Sequence, residues 1–503
     1  MMSRWWRYSA IMALLSLAVG CAGPAINPTA VPPTVTPCPN CGTISGRILL
    51  PPRDAAVLDG PAVHLHFENT TTEEISVTTL KPGQSQFTVA LPEGTYCTYA
   101  WLSDLSLRGA HAFCEPGDEC SDPPPRTLVV TAGETIGGVD IDKWAAPEGL
   151  PLVLIGTLID GTGAQPLQDT ALVILEDRIV SVGPRKDLAV PPEAEVIELP
   201  DATILPGFIN AHVHNAYQGR NLAIWAREGV TTVRDLGERL GFPYFATRDR
   251  LQTDPRRASL IAAGPLVTVP NGYPIAGNNF PSLTVTSKDD ARQKINQLID
   301  DGADVIKITL TSGGAPTLSA DEAAAIVQTA HQRGIPVSAH ATSARDVNRA
   351  LEAGVDDIAH LATDHVPDAL LQRMVETDTS WVPTLEALEG RGSANLRRFV
   401  EAGGRVALGN DSGYLQDLEI GMPMRELNWM QEAGMTPMQI IVAATHNAAY
   451  VCRRAGTVGT LEAGKFADIL VVDGDPLQNL EALSSVRLVI HRGVIIRTEE
   501  VAQ

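Results

Sequence analysis

Basic residues are scarce in this chain. Lys and Arg number 38 against 59 Asp and Glu in 503 residues, for a formal charge of -21. That balance speaks against nucleic-acid binding and against adsorption to anionic lipid, and it favours solubility. Long apolar runs are missing beyond the N-terminus, which excludes a spanning helix there. Cysteine is sparse too, at 7 residues. Its spacing never pairs two CxxC units, so a cysteine zinc module is disfavoured. What the chain does have is ordinary globular hydrophobic content, 44%, and length enough for two or three cores.

The first residues read as a targeting segment. Arg4 and Arg7 precede a short apolar run over 10–19, and Leu17-Ala-Val-Gly-Cys21 follows. The stretch resembles a bacterial lipoprotein signal, although Ala18 stands where that pattern usually has leucine. The resemblance implies a signal peptide over 1–20, lipid on Cys21 and a membrane-anchored place in the cell envelope. A secretory signal cut elsewhere (a secreted or periplasmic chain) and an uncleaved anchor are the alternatives. Residues 21–37, rich in Pro and Thr, read as a tether. Cys38, Cys41, Cys97, Cys114 and Cys120 cluster before residue 121, where export permits disulfides of undetermined pairing, and Cys452 stands alone.

From 38 to 146, short β-like runs alternate with turns, which predicts a small antiparallel sandwich. Leu91-Pro-Glu-Gly-Thr-Tyr and Thr131-Ala-Gly-Glu-Thr resemble segments of carboxypeptidase-regulatory-like domains. Strand patterns over 150–205 and 455–497 predict one composite β-domain built from both ends of the remaining chain. Between them, over 206–454, strand and helix patterns alternate, the signature of parallel βα units. Predicted strands end at His212, Asp235, Ala263, Thr309, His340, His360, Thr384 and Asp411, with helices over 221–228, 288–301, 320–333, 344–353, 367–376 and 396–402. Eight such units predict an α/β fold with a closed (β/α)8 TIM barrel, whose active site lies at the C-terminal strand ends.

His212 and His214, two apart on a predicted strand, share a face and can grip one metal ion. His64 and His66 repeat the spacing in the N-terminal sandwich with no further ligand nearby, and read as structural. Lys307 lies between Ile306 and Ile308, so alternation turns it to the opposite face, towards the barrel interior. A buried ammonium there must be paired or lose its proton. His340, His360 and Asp411 sit at later strand ends.

With Glu228-Gly-Val-Thr-Thr-Val-Arg-Asp-Leu-Gly237, Ser312-Gly-Gly314 and Gly456-Thr-Val-Gly-Thr-Leu-Glu-Ala-Gly-Lys-Phe-Ala-Asp468, these motifs resemble the amidohydrolase superfamily, near its imidazolonepropionase-like and prolidase-like members. The resemblance covers about 150–480. It implies that His212 and His214 bind one divalent ion and His340 and His360 a second. Lys307, carboxylated by carbon dioxide, would bridge the two, and Asp411 would contact the first ion and act as the catalytic base. Zinc is the expected metal, with manganese or iron as alternatives. The implied reaction is hydrolysis of an amide-like C–N bond of a small molecule or dipeptide by a metal-bridging hydroxide. Ester, lactone or phosphotriester hydrolysis and a non-catalytic surface binding lipoprotein are the alternatives. Asn210 departs from a frequent Asp, and Asn410 from a common Thr. Tyr217, Arg220, Tyr273 and Arg345 are candidates to hold substrate, and the loop over 265–286 is expected to wall the site. Homo-oligomerisation stays open.

Overall fold

The computed structural model describes residues 41–498 apart from 50–62, 73, 82, 103–107, 112–125, 146–148, 189, 191–192, 312–313 and 415–417. The expected signal, the tether, Cys21, Cys38, Cys114, Cys120, Ser312 and Gly313 lie outside the described residues. Two compact units are distinguished.

The first unit takes in residues up to 154 together with 171–197 and 462–465. Cys41–Arg47 pairs antiparallel with Gln86–Pro92, and Val63–Asn69 with Ile75–Leu80 and Gly94–Leu102. Alternation turns Ile44, Leu65, Phe67, Phe87 and Leu91 from both sheets into one core. His64 Nδ1 lies 3.0 Å from Thr79 Oγ1, and the His66 ring stacks on Tyr99 at 5.0 Å, so both histidines pack within this unit. Cys41 and Cys97 each take part in a disulfide. The unit reaches further along the chain than the expected 38–146. Buried Arg178 explains why: it donates to Glu68 Oε1 at 2.9 Å and to Gly464 O at 3.3 Å, drawing 171–197 and 462–465 into this core.

In the second unit the parallel strands are β1 (Phe208–Val213), β2 (Val230–Asp235), β3 (Ser259–Ala262), β4 (Ile306–Thr309), β5 (Val337–His340), β6 (Asp357–Ala359) and β7 (Ser380–Val382). Consecutive strands pair from β1 to β3 and from β4 to β7. The Asp304 N–H donates to Ala262 O at 3.0 Å just before β4. Parallel bridges Trp381–Val406 and Val213–Ser412 set residues 405–412 between β7 and β1. The helices between them are α1 (Gly219–Arg227), α2 (Tyr244–Leu251), α3 (Lys288–Asp300), α4 (Ala320–Gln332), α5 (Ala344–Ala353), α6 (Asp368–Glu376), α7 (Ser393–Glu401) and, after residue 412, α8 (Met424–Glu432). Ser287, Ser319 and Ser343 cap α3, α4 and α5, each accepting a backbone N–H of the first turn.

Two-residue alternation sorts the strand side chains into two cores. Phe208, Ile306, Ile308, Ala339, Ile358, Trp381 and Leu408 join the core that also holds the helices. Ile209, Ala211, Val305, Ala359, Val382 and Ala407 join a separate cluster. Lys307 shares the face of Val305 and is 1% exposed. Residues 202–206 pair antiparallel with Ile469–Asp473, which continues to Val486–His491 and Val494–Thr498, so segments from both ends of this unit share a sheet. No helix among the described residues is long and apolar enough to cross a membrane.

Candidate metal centre

The C-terminal ends of β1, β4, β5 and β6 and the 405–412 segment bring the chemistry together. His212, His360 and Asp411 offer ligand atoms that all lie within 4.8 Å of one another. His214 Nε2 is 3.0 Å and His212 Nε2 3.2 Å from the same oxygen, Asp411 Oδ1. The His340 ring lies 4.4 Å from that of His360, and His360 lies 4.8 Å from His212. Four imidazoles therefore crowd one carboxylate.

Close backbone approach allows this. A Cβ at residue 409 would stand 2.8 Å from His212 Cβ, and one at 413 would stand 1.9 Å from His214 O. Glycine at both places lets the segment carrying Asp411 lie against β1. Asp411 and His360 both take left-handed backbone, at φ 62° and 69°, a costly conformation for such residues that clusters at functional sites.

The hydrogen bonds orient the rings. His214 Nδ1 donates to Gly237 O at 2.9 Å, which leaves Nε2 as the lone-pair nitrogen. That nitrogen then faces a carboxylate oxygen, and two electron-rich atoms so close need a positive charge between them, a proton or a metal ion. His360 Nδ1 is hydrogen-bonded to Thr384 Oγ1 at 2.8 Å, which fixes the ring and leaves Nε2 to face the cluster. His212 Nδ1 and Lys307 Nζ are buried without a hydrogen-bond partner. Orphaned donor and ligand atoms of this kind are costly unless something occupies the space between them. The residues fit a metal centre.

Electrostatics agree at three of the four histidines; at His214 burial opposes charge, yet the hydrogen bond and charge of Asp411 raise the pKa. Burial, aided by Lys307, lowers the His340 pKa to about 3 and puts His212 well below the usual histidine value. Burial and the His340 charge do the same for His360. Neutral imidazole is the metal-binding form. Burial opposes charge on Asp411, yet His212 and His214 hold its carboxyl well below the usual range. Burial brings the Lys307 amine down to about 7, with Asp357 pulling the other way. Asp357 is itself locked by Arg234, whose Nη1 and Nη2 donate to it at 2.8 and 2.9 Å, and by Ser338 Oγ at 2.7 Å.

Asn210 and Asn410, the two departures from the expected motif, are partners. Asn210 Nδ2 donates to Asn410 Oδ1 at 2.8 Å, and Asn210 Oδ1 accepts the His212 N–H at 3.2 Å.

A cavity of about 330 Å³ opens on the cluster, lined by His214, Asp411, Tyr273, Phe280, Tyr414 and Arg239, with Leu266, Pro274 and Asn278. Five of these come from the 265–286 loop, the expected wall. Tyr273 lies against His340 at 4.7 Å. Of the other substrate candidates, Tyr217 is buried, its ring 5.2 Å from Phe242 and 6.1 Å from Tyr244. Position just before α1 turns it into the helix-side core. Arg220 and Arg345 are exposed in the first turns of α1 and α5, and neither lines the cavity. Sequence reasoning missed Tyr414, Phe280 and Arg239. Tyr414 stacks on His214 at 5.1 Å and donates to Glu238 at 2.7 Å. Its nearness to Asp411 in the chain was the available signal.

The profile described as "Amidohydrolase family" matches residues 203–496. The imidazolonepropionase of Salinispora arenicola (strain CNS-205) is 26% identical over 386 residues, spanning 68% of this chain and 97% of that protein. The ochratoxinase of Aspergillus niger is 24% identical over 419 residues, spanning 68% and 84%. A solved Xaa-Pro dipeptidase, with methionine bound in its active site, superposes with a TM-score of 0.61 at 26% identity, over 69% of this chain and 99% of that one. This chain is an enzyme of the amidohydrolase family, a hydrolase.

Proposed function

We propose that the chain is a binuclear metal-dependent hydrolase that cleaves an amide-like C–N bond of a small molecule or dipeptide, on a closed (β/α)8 barrel with an N-terminal β-sandwich. One observation carries the reading: His214 Nε2 and His212 Nε2 lie 3.0 and 3.2 Å from the one oxygen Asp411 Oδ1, His214 and Asp411 line a cavity, and the buried Lys307 amine, whose charge acts on both His212 and Asp411, has no hydrogen-bond partner. In this reading His212, His214 and Asp411 hold one divalent ion and His340 and His360 the other. Such ions, when bound, make water nucleophilic near neutral pH and polarise a carbonyl.

Lys307 completes the pair as a carbamate. With a pKa near 7 much of the amine is neutral at physiological pH. Its lone pair adds to carbon dioxide, an N–H proton leaves to solvent, and the product offers two anionic oxygens where the amine offered none. Asp411, ionised and fixed between two imidazoles, accepts the proton of the attacking water and returns it to the departing nitrogen. Tyr414 keeps the His214 ring in place while its hydroxyl is committed to Glu238. Tyr273 and Phe280 give an apolar wall, and the Arg239 guanidinium, 5.3 Å over Phe280, suits an anionic group on the substrate. The relatives named imidazolonepropionase, ochratoxinase and Xaa-Pro dipeptidase support C–N chemistry, and the last supports a dipeptide.

A substrate panel tests this. Full-length protein reconstituted with zinc is offered dipeptides, cyclic amides, lactones and phosphotriesters. Turnover of C–N substrates with the highest kcat/KM is expected. Activity confined to lactones or phosphotriesters would overturn the assignment.

A further inference from the structure

Glu426 lies on α8, outside every motif that pointed to the site, and is 0% exposed. Both of its carboxylate oxygens are engaged by consecutive backbone donors: Oε1 accepts the Leu385 N–H at 2.9 Å and Oε2 the Glu386 N–H at 2.6 Å. The residue just before those two is Thr384, at φ 51°. A β-branched residue rarely holds left-handed backbone unless its surroundings over-determine it. Two hydrogen bonds from the next two amides do so here. Thr384 is also the residue hydrogen-bonded to His360 Nδ1, at 2.8 Å.

The same turn reaches the other half of the site. Glu386, 2% exposed, accepts from Asn410 Nδ2 at 2.9 Å through Oε2 and from the Glu419 N–H at 3.1 Å through Oε1. Asn410 precedes Asp411 and accepts from Asn210, which in turn accepts the His212 N–H. One carboxylate thus stands behind a turn whose first residue orients His360 and whose third residue anchors the Asp411 segment.

We propose that Glu426 is a positioning residue of the metal centre, clamping residues 384–386 so that Thr384 fixes the His360 ring and Glu386 fixes Asn410 beside Asp411. The proposal rests on the metal-hydrolase reading. Groups hydrogen-bonded directly to a metal ligand, as Thr384 is to His360, typically change affinity or activity roughly ten- to hundredfold when altered.

Glu426→Gln keeps the shape but sets an amide NH2 against one of two N–H donors. Thr384→Val keeps the turn and removes only the hydroxyl on His360. Zinc affinity of each metal-stripped, full-length protein is measured by chelator competition, with kcat and KM measured after reconstitution. Both variants are expected to bind zinc at least about tenfold more weakly, to lose kcat with KM little changed, and to be non-additive when combined. Wild-type zinc affinity and kcat in Glu426→Gln would overturn the proposal. So would unchanged zinc affinity in Thr384→Val, which serves alone if Glu426→Gln does not fold. Wild-type protein that takes up no zinc would overturn the metal reading and this inference together; wild-type binding matched by both variants overturns this inference alone.

Discussion

Asp357→Asn is the most exposing change that can be made beneath the site. Arg234 is 0% and Asp357 1% exposed, and their hydrogen bonds of 2.8 and 2.9 Å form a closed fork. The substitution keeps the shape of residue 357 but leaves a buried guanidinium without its counter-charge. Its remaining partner of note is Ala211 O, 2.7 Å from Nε. Breaking a buried pair from one side costs about 3–5 kcal/mol. At roughly 2–4 °C per kcal/mol, the expected fall in Tm is on the order of 10 °C. Arg234→Met strands the carboxylate instead, but Ser338 Oγ still donates to it at 2.7 Å, so its loss falls at the lower end. The double substitution Arg234→Met with Asp357→Leu removes both charges and with them the cost of holding them out of water. It is therefore expected to recover most of the stability that either single change loses. Calorimetry on metal-free protein reads all four. The reasoning is refuted if Asp357→Asn melts within about 2 °C of wild type, less than 1 kcal/mol on the same scale, or if the double variant loses the sum of the singles.

Other consequences are open to measurement. Asp411→Asn should retain most of its metal and lose kcat roughly 10²–10⁴-fold, the usual share of a general base; steady-state kinetics with metal analysis decide, and an unchanged kcat rejects the role. Arg239→Gln should raise KM about tenfold or more for substrates bearing a carboxylate, and leave their neutral analogues unaffected, because one charged hydrogen bond contributes about 1.5–3 kcal/mol.

Much of the site was legible because strand alternation is a strict code. Lys307 between two isoleucines had to face away from the helix-side core, and it does. His212, His214, His340 and His360 fell at strand ends, where the fold leaves side chains free to converge. Helices with serine caps, such as α4 and α5, appeared within a residue or so of their expected spans. The segment carrying Asp411 was expected to end a strand, but it forms only isolated bridges, because left-handed backbone at 411 interrupts the ladder. What stayed hidden depended on loops and on distant pairing. Tyr217 looked free because it followed the His-x-His motif, yet Phe242 and Tyr244 enclose it. The Arg234–Asp357 fork joins strands far apart in the chain, and no periodicity announces such a pair. Helices α2 and α8 were not anticipated: α2 has Thr, Arg and Asp among its few apolar residues. The role of Glu426 emerges only once the 384–386 turn has been folded against it.

Metal content bears most directly on the central claim. Full-length protein loaded with zinc in bicarbonate is predicted to hold two ions per chain and to show a carbamate carbon resonance from labelled carbon dioxide. In Lys307→Met that resonance should vanish and at least one ion with it. Wild-type protein with neither bound zinc nor a carbamate signal, or Lys307→Met with both undiminished, would contradict the account.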